Sequence, residues 1–333
     1  AKTDANRSWM SMRFPMPLLS SADPHAVERA GAALGPHRVQ ILAVEALSLR
    51  ANRKYSSSTV HFPATVPPQE LLACIVIVPG WACSENTIAA WGSFFASHGY
   101  LAMTIGTHSP FYDMPTARAS ALLDAVEALK EEHARSGSPL AGRLDVTRFA
   151  VAGWSMGGGG CLLAALADPS LKSVLAFAPH PGLPCWTTVP AELTDTVPSL
   201  FIAGQWDPTA CSCVVRRMFR AVRAPKLLLQ VRRGDHAVAN GPAGGHIHEV
   251  ACCFGACALC VIAPGICCGS YSPCGAFDRP TGCARDEARN GAIGATALKW
   301  LSMFLRGEEQ GEGPERPIIA SGWECVGLDM SRF

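Results

Sequence analysis

Charge is scarce in this sequence, and neither sign predominates. Charged residues make up 17% of the 333, and 28 Lys and Arg against 27 Asp and Glu leave a formal net charge of +1. This balance gives no basic surface of the kind that binds nucleic acid, so we expect no nucleic-acid partner. The apolar fraction of 49% is enough for one large hydrophobic core or two smaller ones.

Long uninterrupted apolar runs are also missing. The first residues do not contain the continuous apolar core of a secretory signal peptide, but the chain begins at Ala1 and not at Met, so this absence does not exclude export. Further along, Pro264 and Gly265 interrupt a stretch that is only marginally long enough for a membrane span. We therefore expect no stable insertion into a membrane.

Cysteine, by contrast, is abundant and unevenly distributed. The chain has 15 cysteines, an odd number that leaves at least one unpaired within the chain. Eight of them fall between residues 252 and 283. Cys74 and Cys161 lie in apolar runs and are expected to be small buried side chains.

Apolar strand-like runs alternate with helical patterns from Leu72 onward. This alternation predicts an α/β fold with a mostly parallel sheet covered by helices on both faces, and a hairpin-like opening predicts antiparallel strands at one edge. Residues 1–35 are predicted to form an irregular arm. The predicted strands are 37–47, 57–62, 72–78, 101–106, 148–153, 173–178, 200–204 and, as the last one, 226–231; the predicted helices are 88–97, 117–136, one that includes 161–167, 213–222 and 292–305.

The stretch Gly153-Trp154-Ser155-Met156-Gly157 joins a predicted strand to a predicted helix. A serine on such a tight turn needs very small residues two positions before and after it, because larger side chains would collide with the strand and the helix. The turn exposes the hydroxyl and directs the first helical N–H groups at the space beside it. We interpret Ser155 as a nucleophile; the alternative is a chance match in a glycine-rich chain.

Two further polar residues follow later strands at the same edge of the predicted sheet. Asp207 and His236 come after Ser155 in the order of an α/β-hydrolase triad, with His236 as the general base and Asp207 as the group that orients it. Asp235 is a rival for the acid, while His98 and His180 are less well placed for the base. Negative charge on the substrate would be stabilised by the N–H groups of Met156 and Trp81, unless Pro79-Gly80 is merely a turn.

Four segments carry a resemblance to a known family: IVIVPGWACSENTIAAWGSFFASHGYLAMTIGT, RFAVAGWSMGGGGCLLAAL, LFIAGQWDPTA and GDHAVAN. They resemble the bacterial cutinases and poly(ethylene terephthalate) hydrolases of the α/β-hydrolase superfamily, from about Gly35 to Gly241 and again from Asn290 to Arg306. The resemblance implies ester hydrolysis by Ser155, Asp207 and His236. It also implies an oxyanion site at Trp81 and Met156, and substrate contacts from Trp81, Trp154, Met156 and His180.

Three features depart from the pattern of that family. His180 stands where the family often has an aromatic residue beside the substrate, and Trp81 stands where Tyr or Phe is usual. Some relatives carry a disulfide beside the triad, but the matching positions here are Gly204 and Val238, so that disulfide cannot form.

The resemblance also defines a cysteine-rich insertion at 242–287, between a hydrolase domain at 36–241 and its continuation at 288–333. Four interpretations of the insertion remain open. It could be a lid that presents Phe254, Leu259 and Ile262 to the substrate, a surface lobe held by disulfides, or a poorly ordered segment. The fourth is a metal site around His246, His248, Cys257 and Cys260.

These observations predict a serine carboxylesterase that works through an acyl-enzyme on an ester or polyester and needs no metal or organic cofactor. One alternative is a lipase or short-chain phospholipid acyl-hydrolase on the same scaffold. Another is a binding protein that has the hydrolase fold without the activity. We expect a secreted or extracellular monomer.

Overall fold

The computed structural model describes residues 33–42, 53–182, 193–205, 207, 209–231, 234–243, 287–307 and 323–326, the side chains of 287–291 and 323–326 excepted. These residues form a sheet of nine strands in the order β1-β2-β4-β3-β5-β6-β7-β8-β9. The strands are β1 Val39–Leu42, β2 Ser58–Pro63, β3 Leu72–Val78, β4 Leu101–Ile105, β5 Leu144–Trp154, β6 Ser173–Phe177, β7 Ser199–Gly204, β8 Lys226–Val231 and β9 Trp323–Val326.

The six strands from β4 to β8 in the sheet order run parallel. Strand β3 is buried along its whole length, as expected for a parallel strand that is covered on both faces. Antiparallel strands β1 and β2 extend one edge, and antiparallel β9 extends the other. This topology is that of an α/β-hydrolase fold.

Five α-helices are seen in the described residues, and they cover both faces of the sheet. They are α1 Ala89–Ser97, α2 Pro115–Ala134, α3 Met156–Ala167, α4 Ser212–Ala221 and α5 Glu287–Leu301. Successive residues of β3 point to opposite faces: Val76 packs in the core under α2, α3 and α4, whereas Ile75 and Ile77 pack in the core under α1 and α5. In the second core, Trp91 stacks on Phe177 with ring centroids 4.3 Å apart.

The structure corrects two expectations about the sheet. Strand β8 is not the last strand, because β9 pairs with it from residues that lie almost 100 positions further along the chain. Antiparallel pairing therefore occurs at both edges and not at one. A four-residue strand carries little periodicity of its own, and β9 is set by pairing with the exposed edge of β8.

Candidate active site

Ser155, His236 and Asp207 form a continuous chain of hydrogen bonds at the carboxyl edge of the sheet. The Nε2 atom of His236 lies 2.9 Å from Ser155 Oγ, and its Nδ1 atom lies 2.7 Å from Asp207 Oδ2. The three residues follow β5, β8 and β7, whose parallel directions bring their ends together. All three are buried, with 4% to 7% of their surface exposed.

Ser155 has a backbone conformation that is rare for a residue with a side chain. Its φ and ψ are 57° and −121°, and helix α3 begins at the next residue. Main-chain bonds on both sides maintain this strain, since Ser155 N–H donates to the Phe177 carbonyl at 2.8 Å and the Ser155 carbonyl accepts from His180 N–H at 2.8 Å. The serine hydroxyl is therefore presented by a rigid turn.

The glycines around the serine are required by close backbone approaches. A Cβ at Gly157 would lie 2.4 Å from the Val78 carbonyl oxygen and 2.6 Å from that of Pro79. A Cβ at Gly159 would lie 2.2 Å from the His180 carbonyl oxygen. Helix α3 thus uses residues of low helix propensity because the chain segments that line the cleft pass directly against it.

Asp207 is oriented by the backbone that follows it. Its Oδ1 atom accepts the N–H groups of Thr209 and Ala210, each at 2.8 Å, which leaves Oδ2 for His236. The rival acid Asp235 instead accepts the N–H of Ala237 at 2.8 Å and caps the short 3₁₀ helix His236–Ala239. The geometry therefore favours Asp207 over Asp235 as the partner of the imidazole.

Trp154 supports the other side of His236. Its Nε1–H donates to the His236 carbonyl oxygen at 2.9 Å, and the two rings pack with centroids 4.9 Å apart. The sequence predicted Trp154 as a substrate contact, and it does line the cleft. Its indole nitrogen, however, contacts the backbone of the histidine.

The oxyanion loop, which we define as residues 79–82, faces the serine from the end of β3. The loop approaches so closely that a Cβ at Gly80 would lie 2.9 Å from Ser155 Cβ. Trp81 and Met156 both line the cleft, together with Ser155 and His236. In the described part of the chain, no acceptor is seen for the backbone N–H of either Trp81 or Met156.

Side-chain and backbone contacts hold the oxyanion loop against residues 107–113. The Trp81 indole donates to the Phe111 carbonyl at 2.9 Å, and its ring meets the Phe111 ring edge-on. Ala82, which has a positive φ of 56°, donates its N–H to the Pro110 carbonyl at 3.0 Å. The loop is thus tied to a second loop and not to the sheet.

His180 forms part of the cleft wall and is 3% exposed. Burial, with a further contribution from His236, lowers the pKa of His180 to about 4, so its ring is neutral near pH 7. The Nδ1 atom accepts the N–H of Gly182 at 3.1 Å. The proton of the neutral ring therefore lies on Nε2, which makes that nitrogen a hydrogen-bond donor.

Two residues near the cleft were not found by sequence reasoning. Thr209 lines the cleft, and Arg118 on α2 donates to the Pro79 carbonyl at 2.9 Å. The signal for Arg118 was an arginine on an otherwise apolar face of a predicted helix. The signal for Thr209 was its place two residues beyond Asp207.

The remaining predicted positions lie outside the cleft or outside the described residues. His98 lies at the end of α1 against Phe94, in contact with residues outside the cleft. At Gly204 a Cβ would lie 2.3 Å from the Asp235 carbonyl oxygen, so the position excludes any side chain and hence a cysteine. The insertion predicted at 242–287, with its candidate lid and metal-site residues, lies outside the described residues except for 242–243 and 287.

The described residues contain neither a candidate membrane span nor a candidate metal site. No helix there is both long and apolar enough to cross a membrane. No group of three or more His, Cys, Asp or Glu side chains is arranged there to hold a metal ion.

Comparison with known proteins gives one family and several relatives. The family model described as PETase, PET hydrolase-like, matches residues 20–265. Lipase 1 of Moraxella sp. (strain TA144) is 28% identical over 191 residues, which cover 57% of this chain and 56% of that protein. Cutinase 1 of Thermobifida cellulosilytica is 32% identical over 179 residues, 54% of this chain and 62% of the relative.

A third relative carries a more specific name. Bis(hydroxyethyl) terephthalate hydrolase of Streptomyces coelicolor is 31% identical over 176 residues, 53% of this chain and 52% of that protein. The chain therefore spans little more than half of the length of the curated relatives it matches.

Proposed function

The chain belongs to the PET hydrolase-like family, and on that premise we propose that it is a serine hydrolase of carboxylic esters, of the cutinase and polyester-hydrolase type. The observation that carries this proposal is the hydrogen-bonded chain from Ser155 through His236 to Asp207, with bonds of 2.9 and 2.7 Å. A serine hydroxyl is a weak nucleophile, and an imidazole in contact with it can accept its proton during attack.

In the first half of the proposed reaction, Ser155 Oγ attacks the ester carbonyl carbon while His236 Nε2 takes the hydroxyl proton. Asp207 keeps the imidazole in the required tautomer and stabilises the imidazolium that forms. The oxygen of the tetrahedral intermediate would accept the N–H groups of Trp81 and Met156, which have no acceptor among the described residues. His236 then donates its proton to the departing alkoxide, and an acyl-enzyme remains.

In the second half, water attacks the acyl-enzyme with His236 again as the base. The carboxylic acid leaves, and the hydroxyl of Ser155 is restored. The proton transfers of both halves use the chain from Ser155 through His236 to Asp207, whose members already lie within hydrogen-bond distance of their neighbours.

The proposed substrate is an ester with a flat or apolar acyl group. The cleft is lined by Trp81, Trp154 and Met156, which offer apolar surface, and by His180, which offers one N–H donor. The relatives named as cutinases and as a bis(hydroxyethyl) terephthalate hydrolase support a polyester or its fragments as the substrate. An extracellular location remains a prediction.

The proposal is tested by labelling and by hydrolysis. A fluorophosphonate probe should modify the wild-type protein and fail to modify Ser155→Ala, with Ser199→Ala as a control for another buried serine. A series of p-nitrophenyl esters from acetate to palmitate, assayed beside a polyester film, would define the acyl group. Absence of labelling in the folded wild type would overturn the proposal and favour a binding protein on this fold.

A lipase is the second candidate, favoured by the relative named Lipase 1. Exposed Phe111 and Tyr112 beside the oxyanion loop add apolar surface that could meet a lipid aggregate. A sharp rise of activity when short-chain lipid passes its critical micelle concentration would favour the lipase, whereas release of product from the film would favour the polyesterase.

A further inference from the structure

We propose that Arg118 is a positioning residue that holds the oxyanion loop, residues 79–82, in its active geometry. The inference rests on the ester hydrolysis proposed above. It concerns a side chain that does not line the cleft and would not touch the substrate.

Arg118 is a fully buried charge. Its side chain is among the largest that the described core encloses, and its exposed fraction is 0%. Burial lowers the pKa of Arg118 to about 10, so the guanidinium is still protonated at neutral pH. Among the described residues no carboxylate forms an ion pair with it, although the charge of Asp113 partly opposes the lowering of its pKa. A buried charge without a direct ion-pair partner is costly. Such a group persists in a core when its hydrogen bonds have a specific use.

The hydrogen bonds of Arg118 end on the oxyanion loop and on the neighbouring segment that holds it. Nη1 donates to the Pro79 carbonyl at 2.9 Å, directly before Gly80 and Trp81. Nη2 donates to the Pro110 carbonyl at 3.1 Å, and the same carbonyl accepts the N–H of Ala82 at 3.0 Å. One planar group therefore fixes the first residue of the loop directly and the last residue through Pro110. The Trp81 N–H, our proposed oxyanion donor, lies between these two fixed points.

Helix α3 is shaped to accept this arrangement. A Cβ at Gly160 would lie 2.9 Å from the Cβ of Arg118, and a Cβ at Gly157 would lie 2.6 Å from the Pro79 carbonyl oxygen. The helix that begins at the nucleophile thus packs against both the arginine and the carbonyl it binds. Arg118 is consequently placed where it can couple the position of the loop to the position of Ser155.

Only a guanidinium meets this geometry. Its fork presents two donors in fixed directions, whereas lysine offers one compact ammonium on a flexible stem. Methionine has a similar length and no donor, so both carbonyls would lose a charged hydrogen bond. A displacement of the Trp81 N–H by about 1 Å would weaken stabilisation of the transition state and lower the rate by about 100-fold. Binding of the substrate in its ground state would be nearly unchanged.

The matched control is Arg53. It is also largely buried, and it donates to Asp124 and Glu131 on helix α2. Its Nε, like that of Arg118, has no partner among the described residues. Its contacts lie away from the oxyanion loop. Arg53→Met therefore reports what the loss of a largely buried arginine bonded to α2 does to the fold alone.

The experiment compares wild type, Arg118→Met, Arg118→Lys and Arg53→Met. For Arg118→Met we expect kcat to fall about 100-fold with KM within about twofold, and the affinity for an aryl boronic acid, which forms a tetrahedral adduct, to fall with kcat/KM. The kcat of Arg118→Lys should lie between that of Arg118→Met and that of wild type. The kcat of Arg53→Met should stay within about twofold of wild type. If Arg118→Met does not fold, Arg118→Lys decides, with a fall in kcat of about tenfold expected.

Hydrogen exchange separates failure of this inference from failure of the proposed function. The amide of Ala82, which donates to the Pro110 carbonyl, should lose protection by about tenfold in Arg118→Met and not in Arg53→Met, whatever the activity of the protein. Unchanged protection there, or a kcat of either Arg118 variant within about threefold of wild type, would overturn the positioning role. An inactive, unlabelled wild type would instead overturn the ester hydrolase.

Discussion

The two walls of the cleft hold their functional groups by different means. The elbow wall, made of Trp154, Ser155, Met156 and His180, is fixed by main-chain contacts such as that of His180 N–H with the Ser155 carbonyl at 2.8 Å. The oxyanion loop opposite is fixed largely by side chains, through Arg118 and the indole of Trp81. The first wall is over-determined by backbone packing, whereas the second depends on a few hydrogen bonds that can be removed one at a time.

This contrast has an energetic consequence. Backbone segments in contact cannot move apart without displacing strands. One added methyl group in the elbow wall should therefore lower both stability and activity. Removal of one side-chain hydrogen bond from the loop should cost about 1 kcal/mol and displace the loop only partly. Substitutions in the two walls should therefore differ in the size and in the abruptness of their effects.

The largest effect is expected at Gly157, where the two walls meet. Gly157→Ala would add a methyl group 2.4 Å from the Val78 carbonyl oxygen and 2.6 Å from that of Pro79, both backbone atoms. We expect the free energy of unfolding to fall by about 3 kcal/mol and kcat by about 100-fold or more, measured by chemical denaturation and ester hydrolysis.

Gly137→Ala provides the control for that substitution. A Cβ added at Gly137 would meet no atom within 4 Å, so the only constraint at this position is its φ of +82°. This variant should lose about 1 kcal/mol and keep wild-type kcat. If Gly157→Ala behaved like Gly137→Ala, the elbow wall would be more adaptable than its packing indicates.

The same contrast explains what could be predicted from the sequence. The elbow is a local pattern, because the strand, the serine and the glycines lie within one short stretch, and the structure has Ser155 between β5 and α3 as expected. Asp207 and His236 were also found, because each follows a strand in a known order. The hydrogen bonds of Arg118 were not found, since they join a helix to two loops distant in sequence.

The missed strand β9 has a related cause. Its four residues pair with β8 only because the sheet leaves that edge open, which no local periodicity records. The extra residues at the start of β5, Leu144 to Thr147, were missed because most of them are polar or exposed and show no apolar run. Elements that depend on burial were predicted well, and elements that depend on pairing alone were not.

Buried His180 in the elbow wall should make the stability of the protein depend on pH. The ordinary pKa of histidine is 6.5, and that of buried His180 is about 4. Between these values the unfolded chain binds a proton that the folded chain does not, so stability should fall as the pH falls from about 6.5 to about 4 and should level off below. The loss attributable to His180 is roughly 3 kcal/mol.

His180→Asn should remove that part of the pH dependence, because asparagine does not titrate and its oxygen can still accept the Gly182 N–H. His61, whose pKa burial also lowers, is present in both proteins, so the difference between their stability curves isolates His180. Denaturation at pH 7, 5.5 and 4 measures it. Parallel curves of stability against pH for the two proteins would mean that the pKa of His180 is not lowered, because the wall opens to water on acidification.

A smaller effect is expected from Trp154, which links the elbow wall to His236, the proposed general base. Trp154→Phe leaves the buried His236 carbonyl without the indole donor at 2.9 Å, so stability should fall by about 1 to 2 kcal/mol and kcat by about tenfold. Trp300→Phe is the control, since it removes a comparable buried bond from an indole to Ser173 at 3.0 Å. That control should show a similar loss of stability and an unchanged kcat; equal kcat losses would remove Trp154 from the support of the base.

The smallest effect is expected from Trp81→Phe, which removes the indole bond to the Phe111 carbonyl and leaves the Trp81 backbone N–H in place. Because Arg118 still holds both ends of the loop, kcat should fall only about threefold and stability by about 1 kcal/mol or less. In the Arg118→Lys background the same change should cost more than in wild type, because both contacts restrain one loop. A double-mutant cycle compares the effects of the single and double substitutions on kcat. Strictly additive effects would mean that the Arg118 and Trp81 contacts support the oxyanion loop independently.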